Sequence, residues 1–462
     1  MASIEQVIRE RMCSGCGACQ FAAPDLFRME ENADGYLQAN KISDAEEPAE
    51  LRRICPFSGE RLSETVIAER QWPDLPVNSQ IGRHARSIVC HATDEKLRMA
   101  GGSGGLVTWI ALELLRRGLV DGVLHVQPVS THASTPAGRL FNYSVSTSAE
   151  EVRAGSKSRY YSVTLADVLT EIRSRPGRFA VIGVPCFITA ARLLVEEGQI
   201  ERDRVPYMIG LVCGHMKSRY FADYLAWQKG VTPGTLDGFD FRQKLLDRPA
   251  SNYGFRLHTP DRDEVYPMKS VRGRDWGEGL FKLPACEYCD DVLAECADAA
   301  IGDAWLPGYV ADPRGTNVAV IRHPDIVAII AEEQGRSLHV EDVSVEAVIR
   351  SQRSGLRHRR EGLAHRLARR AAEGLWIPEK RVSPALAKGR LRRRIYDLRL
   401  KIANESNAMF ADAVKAGDLN VFEKRMDPIL RDLRHATQGG YIKIMLRKGL
   451  QHYRRLRHRL GR

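Results

Sequence analysis

The stretch that most constrains this chain is Cys13-Ser-Gly-Cys16-Gly-Ala-Cys19, answered at a distance by Cys55-Pro56. Three thiols spaced two residues apart do not suit one tetrahedral zinc, whose ligands usually arrive as two separated pairs. They suit three corners of a cubane, because each C-x2-C turn presents the next sulfur to a neighbouring iron, and a remote Cys-Pro supplies the last corner. Gly15 and Gly17 permit the tight backbone path and turn N–H groups towards the sulfurs. The spacing predicts a 4Fe-4S cluster on Cys13, Cys16, Cys19 and Cys55, with zinc or disulfides as the alternatives.

A chain of 462 residues has room for two or three domains around a large core. No apolar run is long enough to span a bilayer: the stretch Leu106 to Leu115 is broken by Glu113. Met1 to Met12 carries Glu5, Arg9, Glu10 and Arg11, so it lacks the apolar centre of a secretory signal. Ten cysteines are spread along the whole chain, which predicts a reducing cytoplasm and thiols held for metal. The net charge of +11 is uneven, because residues 351–462 hold 29 Lys and Arg against 10 Asp and Glu. The remainder holds 40 against 48, so the basicity is a C-terminal property.

After Cys19 come an Ala23-Pro-Asp-Leu-Phe27 turn, an Asp34-Gly35 hairpin signal and a Glu-rich helix over 46–54 that leads into Cys55-Pro56. This order is similar to that of single-cluster bacterial ferredoxins. Trp72-Pro-Asp-Leu-Pro76 reads as a linker, since two prolines in five residues stop a helix. The expected organisation is a ferredoxin-like unit over 1–75, a core over 76–350 and a basic helical extension over 351–462.

In the core, strands are expected at Arg86–Ala92, Val120–Val126, Phe179–Val184 and Met208–Val212, with helices over 106–117, 165–173 and onward from Ile188. Alternating strands and helices predict an α/β core, α+β for the chain overall. Gly101-Gly102-Ser103-Gly104-Gly105 opens the Leu106 helix, where free N–H groups and the helix dipole suit a phosphate, and Thr108 adds a hydroxyl. No Lys-Ser/Thr pair follows, so it is not a P-loop, and a tight turn needing glycine for sterics explains the run equally well.

Cys186 and Cys213 each follow an expected strand, where α/β folds place ligands. With the Cys286-x2-Cys289 pair they make four thiols, enough for a second cubane or a structural zinc, and spacing leaves the two even. Cys90 and Cys296 read as small buried hydrophobes.

Four motifs occur in register: Gly-Gly-Ser-Gly-Gly at 101–105, Gly155-Ser-Lys157-Ser158-Arg-Tyr160, Gly183-Val-Pro-Cys186, and Cys286-x2-Cys289 with Ala297-Asp298 and Gly302-Asp303. Together they resemble the family of coenzyme F-420 hydrogenase/dehydrogenase beta subunits, whose members include hydroxymethyl chlorophyll a reductase. The resemblance runs from the ferredoxin-like front to the region of residue 365. It implies a flavin in the core, FAD with FMN as the alternative, fed by 4Fe-4S clusters. It implies cluster ligation by Cys186, Cys213, Cys286 and Cys289 and so favours the cubane over zinc. It also implies flavin contacts from Gly101, Gly102, Ser103, Gly104, Gly105, Thr108, Lys157, Ser158 and Tyr160. For Lys157 plain chemistry agrees, since a cation offsets a pyrophosphate; the bland reading is a solvated lysine. Asp303 and Trp305 either frame the site or simply end a strand. His215 either replaces a thiolate at the second set or hydrogen-bonds a sulfur.

The C-terminal region is expected to be helical over 353–370, broken by Trp376-Ile-Pro378 and Ser383-Pro384, and helical again over 386–402 and 428–459, with Asp427-Pro428 as a cap. Ile442, Met445, Leu446 and Leu450 form an apolar stripe flanked by Lys443, Arg447 and Lys448. Such a basic amphipathic helix serves peripheral membrane contact or an acidic ferredoxin-type donor, while a solvated face packed on its own core is the plain alternative. No motif indicates specific nucleic-acid binding. The expected function is an iron–sulfur flavoprotein reductase acting on a small-molecule substrate or deazaflavin. The alternatives are a non-catalytic electron-transfer subunit and a zinc-bound protein without redox role. No residue is singled out as catalytic.

Overall fold

The computed structural model describes residues 2–129 and 139–438. Its centre is an eight-stranded mixed sheet. From one edge the strands run Leu338–Asp342, Arg86–Ala92, Asn317–Ile321, Ala299–Asp303, Tyr207–Leu211, Phe179–Gly183, Gly122–Pro128 and Phe141–Ser146. The four strands Ala299, Tyr207, Phe179 and Gly122 are mutually parallel, and the rest are antiparallel additions at both sides. Burial on both faces explains the near-continuous apolar runs Phe-Ala-Val-Ile and Tyr-Met-Ile in the middle strands. The parallel strands end on one side, so the loops after Gly183, Leu211 and Asp303 converge there, as in other α/β sheets.

The expected Arg86–Ala92 strand is present as read, and the helix over Leu106–Arg116 stops one residue short of its expected end. The helix expected from Ile188 begins earlier, at Pro185, because proline suits the first helical position, where its missing N–H goes unused. Cys186 therefore sits in a helix's first turn, not in a preceding loop. A three-stranded antiparallel sheet, Gly238–Gln243, Gly254–Thr259 and Arg262–Pro267, has no counterpart among the expected elements.

The front segment forms the expected hairpin, Phe27–Glu31 with Leu37–Lys41, and a short helix, Ala49–Arg53, before Cys55. It is tied to the core by Leu37 N–H to Ser162 Oγ (2.8 Å), Leu165 N–H to the Cys16 carbonyl (3.1 Å) and Arg219 N–H to the Gly35 carbonyl (2.9 Å).

Helices Arg353–Arg359 and Glu361–Ala372 replace the single helix expected over 353–370. Their basic residues are not all solvated: Arg359 and Arg366 are each 1% exposed. The following helix, Arg390–Ala416, is longer than expected. The last described helix, Leu419–Thr437, is capped by Asp418 and contains Pro428, so the expected start at 428 is wrong. Its buried stripe Phe422, Met426, Leu430 and Leu433 packs on the preceding helix and outweighs the one helical hydrogen bond that proline forfeits. The stripe at Ile442, Met445, Leu446 and Leu450 lies outside the described residues. Among the described residues no helix is long and apolar enough to cross a membrane.

Candidate functional site

Cys13, Cys16, Cys19 and Cys55 line one small recess with the apolar Ile4, Val7, Ala39 and Phe57. The glycines between them do what the spacing requires: Gly15 and Gly17 have φ of 77° and 87°, and a Cβ on Gly17 would meet Thr164 Oγ1 at 2.4 Å. Ala39 N–H lies 3.4 Å from Cys13 Sγ. Burial raises the Cys16 thiol to about 12 and Cys55 to about 11, and the neighbouring thiols add to the rise at Cys16. Four thiolates so placed repel one another and need a polycation between them, which is what an iron–sulfur core provides. The recess fits that group.

Cys186, Cys213, Cys286 and Cys289 come from three separate segments: the first turn of the Pro185 helix, the loop after the Tyr207 strand, and a 3-10 turn over Pro284–Tyr288. They form a second mutually interacting set. Burial raises Cys186 well above an ordinary thiol, and the charges of Cys289, Cys286, Cys213 and then Cys16 raise it further. Burial likewise lifts Cys213 to about 12. Met216 N–H donates to Cys286 Sγ at 3.3 Å. Cys16 thus lies near the second set, and one apolar cluster that includes Phe57, Tyr288 and Leu367 packs against Cys55, Cys186 and Cys289 alike. Among the described residues, no three His, Cys, Asp or Glu side chains converge as chelators of a single metal ion. Cys90 and Cys296 are fully buried, Cys296 Sγ lying 3.5 Å from Thr189 Oγ1.

A cavity of about 630 Å³ opens where the parallel strands end. Gly101, Gly102, Ser103, Gly105 and Thr108 line one wall, and Lys157, Ser158 and Tyr160 another. Gly104 is absent from the lining and meets the protein instead. A Cβ there would sit 2.6 Å from the Cys90 carbonyl oxygen and 2.8 Å from Asn317 N. The steric reading of glycine therefore holds for this residue. The loop is braced by Asn317, whose Oδ1 accepts from Leu106 N–H (3.0 Å), and by Lys244, whose Nζ donates to the Ser103 carbonyl (2.7 Å). Thr108 Oγ1 lies 3.1 Å from Ser156 Oγ. Lys157 is not a free surface cation: its Nζ pairs with Asp240 at 2.9 Å.

Arg242, Arg159 and Trp276, which sequence reasoning passed over, complete this cavity together with His215 and Tyr160. Arg242 bonds Asp303 (2.8 Å), Tyr160 Oη (3.2 Å) and the Gly102 carbonyl (3.1 Å), and so joins three of its walls. It comes from the unforeseen Gly238 strand, where one arginine carries no motif. His215 stacks on Trp276 (4.2 Å between centroids), and Tyr160 packs beside the same indole (4.5 Å). Arg159 Nε, Arg242 Nε and His215 Nε2 are buried without hydrogen-bond partners, and all three residues line the cavity. Unpartnered buried polar groups are costly unless a ligand supplies partners. An elongated, acceptor-rich, anionic ligand with an aromatic part, such as a flavin nucleotide, fits this lining. Cys213 belongs both to the second thiol set and to the cavity wall.

Comparison with known proteins gives this geometry a family. The family model "Coenzyme F420 hydrogenase/dehydrogenase, beta subunit N-term" matches residues 87–170, and its C-terminus counterpart matches residues 177–345. The chain belongs to this family of oxidoreductase subunits. F420-dependent formate dehydrogenase 1 subunit beta of Methanococcus maripaludis is 26% identical over 248 residues, covering 49% of this chain and 62% of that protein. Coenzyme F420 hydrogenase subunit beta of Methanothermobacter thermautotrophicus is 20% identical over 236 residues, covering 49% and 75%. The chloroplastic 7-hydroxymethyl chlorophyll a reductase of Oryza sativa is 24% identical over 237 residues, covering 51% and 45%. The chain thus spans about half to three-quarters of the length of these relatives.

Proposed function

We propose that this chain is an iron–sulfur flavoprotein that carries electrons one at a time from Cys13, Cys16, Cys19 and Cys55 to a flavin in the large cavity. Cys186, Cys213, Cys286 and Cys289 hold the relay between them. The observation that carries this reading is contiguity: one apolar cluster packs against Cys55 of the first set and Cys186 and Cys289 of the second, and Cys213 of the second set lines the cavity. Cys13, Cys16 and Cys19, spaced two residues apart and lining one recess with Cys55, suit a cubane better than a single tetrahedral zinc.

The flavin, FAD in the first instance and FMN as the alternative, supplies the step that gathers single electrons and delivers a pair. The protein's own part is binding and exclusion of water. Arg159 and Arg242 offer unused N–H donors to an anionic ligand, and the glycine loop opens the Leu106 helix towards it. Lys157 becomes available to a phosphate by exchanging its Asp240 partner. Trp276, with His215 stacked on it and Tyr160 tilted against it, gives an aromatic wall for a ring system. The terminal acceptor is a small molecule or a deazaflavin, and the donor an acidic, ferredoxin-type protein. Relatives named as subunits support the second reading, in which the acceptor chemistry belongs to a partner protein.

Anaerobic purification with iron, sulfide and flavin assays, followed by electron paramagnetic resonance during stepwise reduction, tests the proposal. It predicts about eight irons per chain, two distinct cluster signals and one flavin. A colourless, zinc-loaded protein would overturn it, and a single cluster signal would remove the relay.

A further inference from the structure

Arg359 is 1% exposed and bears a full cation in the interior. Its neighbours in the same basic segment meet carboxylates: Arg360 lies 3.5 Å from Glu295, Arg366 lies 3.0 Å from Glu287, and Arg370 reaches Glu10. Arg359 makes no such carboxylate pair among the described residues. Its Nη2 donates to backbone carbonyls, 2.7 Å to Gly214 and 3.4 Å to Cys213, and its Nε and Nη1 have no partner. Burying a guanidinium on such terms is costly unless a counter-charge lies close by.

We propose that Arg359 is the counter-cation of the second cluster and sets its reduction potential above the value the four thiolates alone would give. This inference rests on the cluster reading of Cys186, Cys213, Cys286 and Cys289. A cubane with four thiolates is anionic and gains one more negative charge on reduction, so a fixed cation stabilises the reduced form. Arg359 is held against the Cys213 and Gly214 carbonyls, beside a residue of the second set, with no carboxylate among the described residues to neutralise it. Its two unpartnered N–H groups remain free for hydrogen bonds to sulfur, which shift cluster potentials in the same direction.

The helix Arg353–Arg359 thus adds a working part to the redox core. By gripping the carbonyls of Cys213 and Gly214, Arg359 also fixes the loop on which the second set meets the cavity. A relay cluster made easier to reduce draws electrons inward from the first set. Arg359 is a positioning and tuning residue and transfers no electron itself.

The test is redox titration of both clusters, followed by electron paramagnetic resonance, in wild type, Arg359→Gln and Arg359→Lys. Arg359→Gln should make the second cluster harder to reduce, with at least a tenfold lower reduced-to-oxidised ratio at the wild-type midpoint, about 59 mV for one electron. Arg359→Lys should stay near wild type, and the first cluster should not move in either variant. An unchanged second midpoint in Arg359→Gln overturns the proposal. If Arg359→Gln loses the second cluster's iron while Arg359→Lys keeps it at the wild-type midpoint, the charge is required and the proposal stands. Loss of that iron in both variants marks Arg359 as scaffold only and overturns it. A wild-type protein with one cluster signal removes the underlying reading before any variant is compared.

Discussion

Arg242 and Asp303 meet through two hydrogen bonds, 2.8 Å and 3.2 Å, in the wall of the large cavity. The same guanidinium reaches Tyr160 and the glycine loop, so one side chain from a peripheral sheet locks together the segments that motif reading grouped around a flavin. Replacing it with an uncharged residue of similar length leaves Asp303 unpaired and removes donors from the ligand. Arg242→Met is expected to weaken flavin binding about 10- to 100-fold, the range of one or two charge-assisted hydrogen bonds. Flavin retention after gel filtration, compared with wild type, checks this.

Gly104 makes a different kind of demand. Its hydrogen faces the Cys90 carbonyl and Asn317 N, backbone atoms that cannot swing aside. Gly104→Ala should shift the loop and cost about 1–3 kcal/mol of stability, with reduced flavin content. Gly59, where an added methyl would have nothing within 4 Å, is the matched control, and Gly59→Ala should be near neutral in both measurements.

The strands and the Leu106 helix were legible because Arg-Ser-Ile-Val-Cys-His-Ala and Leu-Val-Thr-Trp-Ile carry clear periods. Both cysteine sets were legible as candidates from spacing and from the family resemblance. The three-stranded sheet was not, since Gly238–Gln243 alternates weakly and its value lies in Arg242, which touches segments up to 140 residues away. Pro428 misled because a local breaker was read without the tertiary stripe that overrides it. Arg359 and Arg366 were not singled out in the sequence. A dense basic run carries no sign of which arginine turns inward, and only packing reveals that Arg366 meets Glu287 and Arg359 the Cys213 and Gly214 carbonyls.

Arg192 and Asp298 form a buried pair at 2.8 Å, and the Asp298 carboxylate also accepts from Met208 N–H at 2.6 Å. The pair ties the Pro185 helix to the start of the Tyr207 strand, the two elements that carry Cys186 and lead into Cys213. Removing one partner strands a buried charge. Asp298→Ala should lower stability by about 3–5 kcal/mol, read as a fall in the urea midpoint under anaerobic conditions.

Lys244 gives a pH signature. Burial, then the charges of Lys157, Arg98 and Arg242, pull it down to about 7 from 10.5. Below about 7 it is charged folded and unfolded, and the cost of the buried cation is fully present. Between about 7 and 10.5 it is neutral when folded but still protonated when unfolded, so that cost is relieved as pH rises. Lys244→Met carries no such cost. Its stability relative to wild type should be highest near pH 6 and should fall towards pH 10, whereas a pH-independent difference contradicts the assignment.

In the proposed route, electrons reach the cavity through the first cysteine set. The most direct measurement is stopped-flow reduction of the bound flavin by a one-electron protein donor, in wild type and in Cys13→Ser with matching circular dichroism. Flavin reduction should be lost in Cys13→Ser while the second cluster's signal persists. Reduction at the wild-type rate would contradict it.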